Sequence, residues 1–407
     1  MTMTIEREQG TDASVPAMRI TAERADLAAA VTWAARGVAK RPVVPVLAGM
    51  RLEVAGGRLE LAGFDYELTS IARVAGDGAR SGAVLVNGAQ LAAAVRSLPK
   101  VKGAQPVTLA SDGNVLTVEC GGITSRVPLL DLGEYPSLPA LPALAGMADA
   151  GILAAAIGRA GLAAGRDDTL PSLTCVRFAF SAGEVTLQAT DRYRAHEESV
   201  PWVADGNPDP VLIPNSALAV AVKAMAKHGV ISLHAGDGFA ALVTDSRTMI
   251  TRSADGNLFP KLANLWPAEV TDRIAVDGAL LAGAVKRAGT HLERNGGVVL
   301  ECGPDFITVT ASQDGAEAYR ESVPASGVAG CVIAVQFNPA YLAAAVSATG
   351  GVVTLGLTEP AKRDIGFGRT GWSHKPAMVT PEAGTFRAIV MQFTRDELAA
   401  SYRTSLA

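Results

Sequence analysis

Few residues in this 407-residue chain are arranged for covalent chemistry. The string Gly366-Phe367-Gly368-Arg369-Thr370-Gly371 spells the dinucleotide fingerprint. That motif needs a strand before it and a helix after it, so that the helix N-terminus meets the pyrophosphate. Residues 372–381 (WSHKPAMVTP) cannot open a helix, and the string reads as a flexible hairpin. His196-Glu197-Glu198 lies in a strand-like stretch, where alternation splits neighbouring side chains between faces, and is expected on the solvated surface. Asp167-Asp168 is expected in a solvated loop after a helix rather than around a metal. There is no Gly-x-Ser-x-Gly elbow, no phosphate-cradling Gly-Lys-Ser/Thr loop and no His-Glu-x-x-His pair. Cys120, Cys175, Cys302 and Cys331 are far apart and read as free buried thiols of a reducing compartment. The expectation is a protein with no catalytic residue, metal or cofactor.

The chemistry on offer is the placement of cations. Basic residues gather late in Ala/Leu-rich segments or just after them: Arg36, Lys40 and Arg41, then Arg96, Lys100 and Lys102. Further along come Arg159 and Arg166, Lys223 and Lys227, and Lys286, Arg287 and Arg294. Acidic residues mostly sit at the starts, as at Asp26, Asp149 and Asp277. The helix macrodipole favours this polarity in any helix, by roughly 0.3–1 kcal/mol per charge. It does not explain why carboxylates are scarce through the helix bodies of a chain whose net charge is −4. If all these helices face one common space, that space is positive and would track phosphates without reading bases, with strong salt dependence.

The elements that carry these cations repeat. Residues 84–98 (VLVNGAQLAAAVRSL), 211–225 (VLIPNSALAVAVKAM) and 335–349 (VQFNPAYLAAAVSAT) each read as strand, turn and helix, with Leu91, Leu218 and Leu342 spaced by 127 and 124 residues. A second set lies some 60 residues upstream of each: 19–35 (RITAERADLAAAVTWAA), 150–164 (AGILAAAIGRAGLAA) and 274–288 (IAVDGALLAGAVKRA). Between the helices the pattern switches to period two around turn residues, as in 50–61, 107–118, 176–187, 231–243 and 298–309. Asn87, Asn215, Asn338, Asp149 and Asp277 stand where helix caps are needed. The fold class is α+β: three repeated domains, each an antiparallel sheet with two helices on one face. The expected boundaries are 1–17 leader, 18–139, 140–267 and 268–394 for the three domains, and 395–407 tail.

Composition agrees with a packed chain. Apolar residues make up 49% and charged residues 19%, while aromatics at 5% are too few for a single-strand stacking platform. No apolar run is long enough to span a membrane, residues 1–16 lack a signal-peptide core, and a cytoplasmic location is expected.

Several short motifs in fixed order carry a resemblance to a known family. They are Arg41-Pro42-Val43-Val44-Pro45-Val46-Leu47, Gly63-Phe64-Asp65-Tyr66-Glu67 and Tyr135-Pro136, followed by Ala189-Thr190-Asp191-Arg192-Tyr193-Arg194. Phe259-Pro260 and Phe337-Asn338-Pro339-Ala340-Tyr341-Leu342 complete the set, and Asp167-Asp168-Thr169-Leu170-Pro171 is similar to the actinobacterial branch. Over residues 18–391 the chain resembles the bacterial DNA polymerase III beta subunit, the replication sliding clamp.

The resemblance implies a head-to-tail homodimer of three-domain crescents closing a ring on duplex DNA, with helices lining the hole. It implies a processivity factor that tethers polymerase and is not an enzyme. Arg41 stands where the family places a DNA-contacting arginine. Arg96, Arg166, Lys223, Lys227, Lys286 and Arg287 are candidates by helix phase. The family's peptide pocket falls on Leu173, Thr190, Tyr193, Arg194, Pro260, Leu265, Asn338, Tyr341, Ile389 and Met391. Of these, Leu173, Pro260, Leu265, Ile389 and Met391 would form an apolar well for a leucine or phenylalanine anchor. The implied partners are the DNA polymerase III alpha subunit, the clamp loader and other proteins carrying the clamp-binding motif.

The chain also departs from the family. Met391-Gln392-Phe393-Thr394-Arg395 replaces the usual Met-Pro-x-Arg-Leu end, Ala195 replaces a leucine, and Thr290 and His291 stand at positions apolar in well-known relatives. Two other readings therefore stand beside the clamp. One is a specialised paralogue that binds clamp-binding peptides or inhibitors as a decoy or resistance factor. The other is an α+β enzyme with a site in an inter-domain cleft, which would need a convergent acid/base or metal cluster.

Overall fold

The computed structural model describes residues 18–100, 105–206, 208–227, 229–293, 296–327, 331–366, 369–373, 375–393 and 403–405. The expected leader, Lys102, Arg294 and most of the expected tail lie outside the described residues.

Alanine is the best helix former, and its small side chain lets helices approach one another closely. The Ala-rich segments accordingly form helices: α1 (Arg24–Ala34), α2 (Gly88–Ser97), α3 (Ala150–Gly161), α4 (Asn215–Met225), α5 (Gly278–Gly289) and α6 (Pro339–Thr349). They pack in pairs, α1 with α2, α3 with α4 and α5 with α6. The leucines that define the repeat, Leu27, Leu91, Leu153, Leu218, Leu281 and Leu342, are all completely buried. Each such burial stabilises by about 1.5–3 kcal/mol relative to exposure.

Four of the expected caps form. The side-chain oxygens of Asn87, Asp149 and Asp277 accept from the amides of Gln90, Ile152 and Leu280 at 2.9–3.0 Å, and Asn338 accepts from Ala340 and Tyr341. Asn215 corrects its expectation: Pro214 occupies the cap position, and the Asn215 amide donates to the Gly161 carbonyl at 3.1 Å. It thereby satisfies a carbonyl left without a partner at the end of α3. A Cβ on Gly161 would come within 2.3 Å of Asn215 Oδ1, so this bond requires the glycine.

The chain divides into two compact units. One comprises Met1–Ala143 with Ile231–Arg252, the other Leu144–Val230 with Ser253–Ala407. In the first, antiparallel strands run in the order Val230–Gly236, Phe239–Val243, Arg247–Arg252, Leu68–Ala75, Arg58–Phe64, Gly49–Ala55, Gly82–Asn87 and Ile123–Leu130. Val115–Cys120, Pro106–Ser111, Arg19–Glu23 and Asp77–Arg80 complete that order. The Gly56-Gly57 hairpin has both residues at positive φ (57° and 76°), the conformation that a two-residue primed turn demands.

In the second unit the order is Ala254–Asp255, Val211–Pro214, Cys175–Phe180, Glu184–Thr190, Arg194–Pro201, Arg387–Val390 and Ala377–Pro381. It continues through Val352–Leu357, Asp272–Asp277, Ala316–Ser326, Phe306–Gln313, Val298–Cys302, Cys331–Phe337 and Arg403–Ser405. Ala361–Gly366 and Arg369–Ser373 pair as a hairpin, so the fingerprint-like string opens no helix.

One surface expectation fails. His196 is fully buried and Glu198 nearly so. Their strand, Arg194–Pro201, is interior, flanked by Glu184–Thr190 and Arg387–Val390, and α3 packs against it. An interior strand has both faces covered, so alternation yields no solvated side. Because a carbonyl only accepts, His196 Nδ1 carries a proton and donates to the Arg159 carbonyl (2.8 Å). Burial pushes the imidazole down to about 4. All four cysteines are free and buried, and burial pushes the Cys302 thiol up to about 12. Among the described residues, no helix is long and apolar enough to cross a membrane, and no His/Cys/Asp/Glu cluster suits a metal.

Candidate functional site

A cleft of about 670 Å³ opens in the second unit, between the segment that follows α3, the turn at residues 190–194 and the first half of α6. The turn is built from side-chain oxygens. Asp191 Oδ1 accepts from the amides of Tyr193 (3.0 Å) and Arg194 (3.1 Å), and its Oδ2 accepts from Arg194 Nε (2.9 Å). Thr190 Oγ1 accepts from the Arg192 amide and donates to the Arg194 carbonyl. The result holds Arg192 at φ +80°. That left-handed conformation costs a non-glycine residue of the order of 1–2 kcal/mol.

The walls follow from this turn and from the Asn338 cap, which fixes the first turn of α6 and so places Tyr341. The rings of Tyr193 and Tyr341 stack at 6.3 Å with 24° between planes, and the Arg194 guanidinium lies over Tyr341 at 4.4 Å. Tyr193 is 54% exposed despite its size, so half of a large aromatic surface faces solvent. Leu162, Leu170 and Leu173 supply the apolar lining. Burial, and then the Asp191 carboxylate, raise the Tyr341 phenol above its ordinary value. Asp167 is held below the usual carboxylate range by bonds from the Thr169 hydroxyl and amide.

Of the residues expected in a peptide pocket, Leu173, Tyr193, Arg194 and Tyr341 line this cleft together. Thr190 and Asn338 brace it from behind, as described. The Met391 amide donates to the Tyr193 carbonyl at 2.8 Å, which ties the end of the last strand to the turn. Ile389 pairs with Ala195 in register and is buried with Cys175, Leu212, Phe259 and Leu262. Pro260 and Leu265 are exposed along the segment beside that cluster and are not part of the cleft lining. The sequence reading missed Leu162, Leu170, Asp191, Arg192, Ala340 and Ala344. Asp191 and Arg192 stand inside a motif it had quoted, but no residue type announces a positive φ at an arginine.

The cations expected to meet phosphate sit at helix ends. Arg96 and Lys223 are exposed in the last turns of α2 and α4, Lys227 follows α4, and Arg41 lies in the turn region beyond α1. Lys286, in the last turn of α5, approaches Ser347 Oγ of α6 at 3.5 Å. Within the six helices the basic residues are Arg24, Arg96, Arg159, Lys223, Lys286 and Arg287, against the single carboxylate of Asp26. Two cations are otherwise engaged. Arg166 lines the cleft. Arg287 donates to Glu321 (3.0 and 2.6 Å), whose carboxylate also takes the Tyr319 hydroxyl.

Two strand edges lack a partner among the described residues. Within each unit, the third strand of one repeat pairs with the last strand of the next. Leu68–Ala75 takes Arg247–Arg252, with Arg247 opposite Ala72, and Arg194–Pro201 takes Arg387–Val390. The corresponding strand of the third repeat is Ala316–Ser326. Its Glu321-Ser322-Val323-Pro324 matches Glu198-Ser199-Val200-Pro201 letter for letter. Each glutamate takes an arginine from its own repeat's helix, Glu198 from Arg159 and Glu321 from Arg287. The Glu198 side chain is 7% exposed beneath the neighbouring strand, whereas Glu321 is 30% exposed. The outer edge of residues 316–323 and that of residues 123–128 are both open among the described residues.

Comparisons with known proteins bear on the whole chain. Family models described as the N-terminal, central and C-terminal domains of the DNA polymerase III beta subunit match residues 18–139, 149–261 and 263–364. The beta sliding clamp of Streptomyces coelicolor is 36% identical over 362 residues, covering 86% of this chain and 94% of that protein. The beta sliding clamp homolog GriR of Streptomyces muensis is 34% identical over 330 residues, covering 80% of this chain and 87% of its own length. Among solved structures, the Pseudomonas aeruginosa DnaN sliding clamp bound to griselimycin superposes with a TM-score of 0.83 at 21% identity. That superposition covers 93% of this chain and all of the other.

Proposed function

The chain belongs to the DNA polymerase III beta subunit family, and from that premise we propose that it acts as a DNA sliding clamp whose two copies close head to tail around duplex DNA. The three clamp domains are taken at 18–139, 140–267 and 268–394. The observation that carries the closure is the pair of open edges. Each internal junction joins a third strand to a last strand, and one of each remains, residues 316–323 and 123–128. The same Arg–Glu pair that is covered at the second junction stands uncovered on one of them. A heterologous interface of this kind closes a ring when its rotation returns to the start.

Registers of the internal junctions carry over. Asp131 and Asp255 each cap a short turn just after the last strand of their repeats, which aligns Ile123 with Arg247. Ala72, Glu198 and Glu321 are equivalent, so Ile123 of one copy would lie opposite Glu321 of the other. Light scattering should give a mass of two chains, and Ile123→Asp, which sets like charges face to face, should give one chain with the same thermal midpoint. A single-chain mass for the unaltered protein would overturn the closure.

In this reading Arg41, Arg96, Lys223, Lys227 and Lys286 meet phosphates, while Arg166 and Arg287 serve the cleft and the seam. A topological link lets weak, sequence-blind contacts give processivity, because sliding requires that no contact be strong. The cleft receives peptides of the DNA polymerase III alpha subunit, the clamp loader and other clamp-binding proteins. An apolar anchor over Leu173, flanked by Tyr193 and Tyr341, fits the rule that a few buried anchors carry most of such affinities. The chain contributes no catalysis and works in the cytoplasm, where bacterial DNA is replicated.

A further inference from the structure

We propose that Arg192, with Arg166, makes the cleft select peptides that carry a carboxylate beside the apolar anchor. The inference rests on the peptide-binding reading of this cleft and adds the chemistry of the ligand. Three guanidiniums line the cleft, Arg166, Arg192 and Arg194, against two carboxylates, Asp167 and Asp191. Asp191 is consumed by Arg194 and by two backbone amides. Asp167 accepts from Thr169 and feels the charge of Arg192. One positive charge is left in excess, beside leucines and a half-exposed tyrosine.

The conformation of Arg192 points the same way. All three repeats place a positive φ at this turn: Tyr66 at 74°, Arg192 at 80°, and Asp314 with Gly315 at 52° and 77°. A glycine meets that demand without strain, as Gly315 does. The second repeat places an arginine there instead, at the mouth of the cleft and exposed. A guanidinium on a turn pinned by six side-chain hydrogen bonds is held in place before the ligand arrives, and it can take a carboxylate through two parallel N–H donors.

The test is a displayed peptide library with a fixed Leu-Phe pair and randomised flanks, panned on the full chain and on Arg192→Gly, Arg192→Lys and Arg166→Ser variants. Arg192→Gly suits the left-handed turn, so its thermal midpoint should not fall. The unaltered chain should enrich Asp or Glu within two residues of the pair, and an enriched peptide should bind about tenfold tighter than its Asn or Gln twin. That ratio should drop below about twofold in Arg192→Gly, recover in part in Arg192→Lys, and shrink as salt rises. Enrichment without acidic preference, or an unchanged ratio in both Arg192→Gly and Arg166→Ser, would overturn the proposal while leaving the peptide cleft intact. No enrichment of any peptide would instead overturn the peptide-binding reading itself. Displacement of bound peptide by a single-stranded oligonucleotide at equal concentration would reassign both arginines to phosphate and also overturn the proposal.

Discussion

His196 is the side chain whose charge state matters most to the fold. Its pKa lies near 4 rather than at its ordinary 6.5, because protonation would bury a charge against Phe386 with Nε2 unpartnered among the described residues. Between those values the unfolded chain binds the proton more readily, so stability present at pH 7 is lost as pH falls from about 6.5 towards 4. The loss approaches about 3 kcal/mol for this group alone. Denaturant titrations from pH 7 to 4.5 should show His196→Gln losing less stability than the unaltered chain, and parallel curves would contradict the assignment. Leu173 permits a second test. Leu173→Asp places an unpaired charge in the anchor lining, so polymerase-tail peptide binding should fall at least a hundredfold by fluorescence anisotropy. Peptide affinity equal to the parent's would place the anchor elsewhere. The sequence showed Leu173, Tyr193 and Tyr341 through their motifs. It could not show that His196 is covered, because the covering strand, Arg387–Val390, lies some 190 residues away.

Helices and their partners were the most legible elements. The six leucines that set the repeat in the sequence are the six that the structure buries, since a helix in a two-layer fold must turn one stripe inward. Truncating any of them, for example Leu218→Ala, should cost about 2–5 kcal/mol in denaturant unfolding. Asn215 was misread because residue type alone does not distinguish a cap from a first-turn residue reaching another helix. Gly161 carries the matching prediction: Gly161→Ala should lower the thermal midpoint by pushing Asn215 off the α3 carbonyl, despite alanine's better helix propensity. The exposed ends of α4 bear on DNA. Reversing Lys223 and Lys227 to glutamate should weaken duplex association and reduce the slope of log K against log salt by about 2. An unchanged slope would remove α4 from the phosphate-facing set.

For the whole molecule, repetition does the explaining. One strand-to-strand junction occurs twice within the chain and leaves its two halves unsatisfied once, and that asymmetry is what a second copy would cure. Triplication was readable because it is written in spacing, which survives when individual residues drift. The openness of residues 316–323 was not readable, because Glu321-Ser322-Val323-Pro324 is spelled like its buried counterpart and differs only in what lies over it. Thr290 and His291 lie near this edge, with His291 stacked on Tyr319 at 5.1 Å, so the seam is more polar than the internal junctions. Retention on DNA decides the matter. Placed on a nicked plasmid by the host's clamp loader, the protein should stay bound through gel filtration in salt that strips phosphate contacts, and should fall off once a restriction enzyme cuts the circle. Equal retention on cut and uncut plasmid, or none on the closed circle, would contradict an encircling clamp.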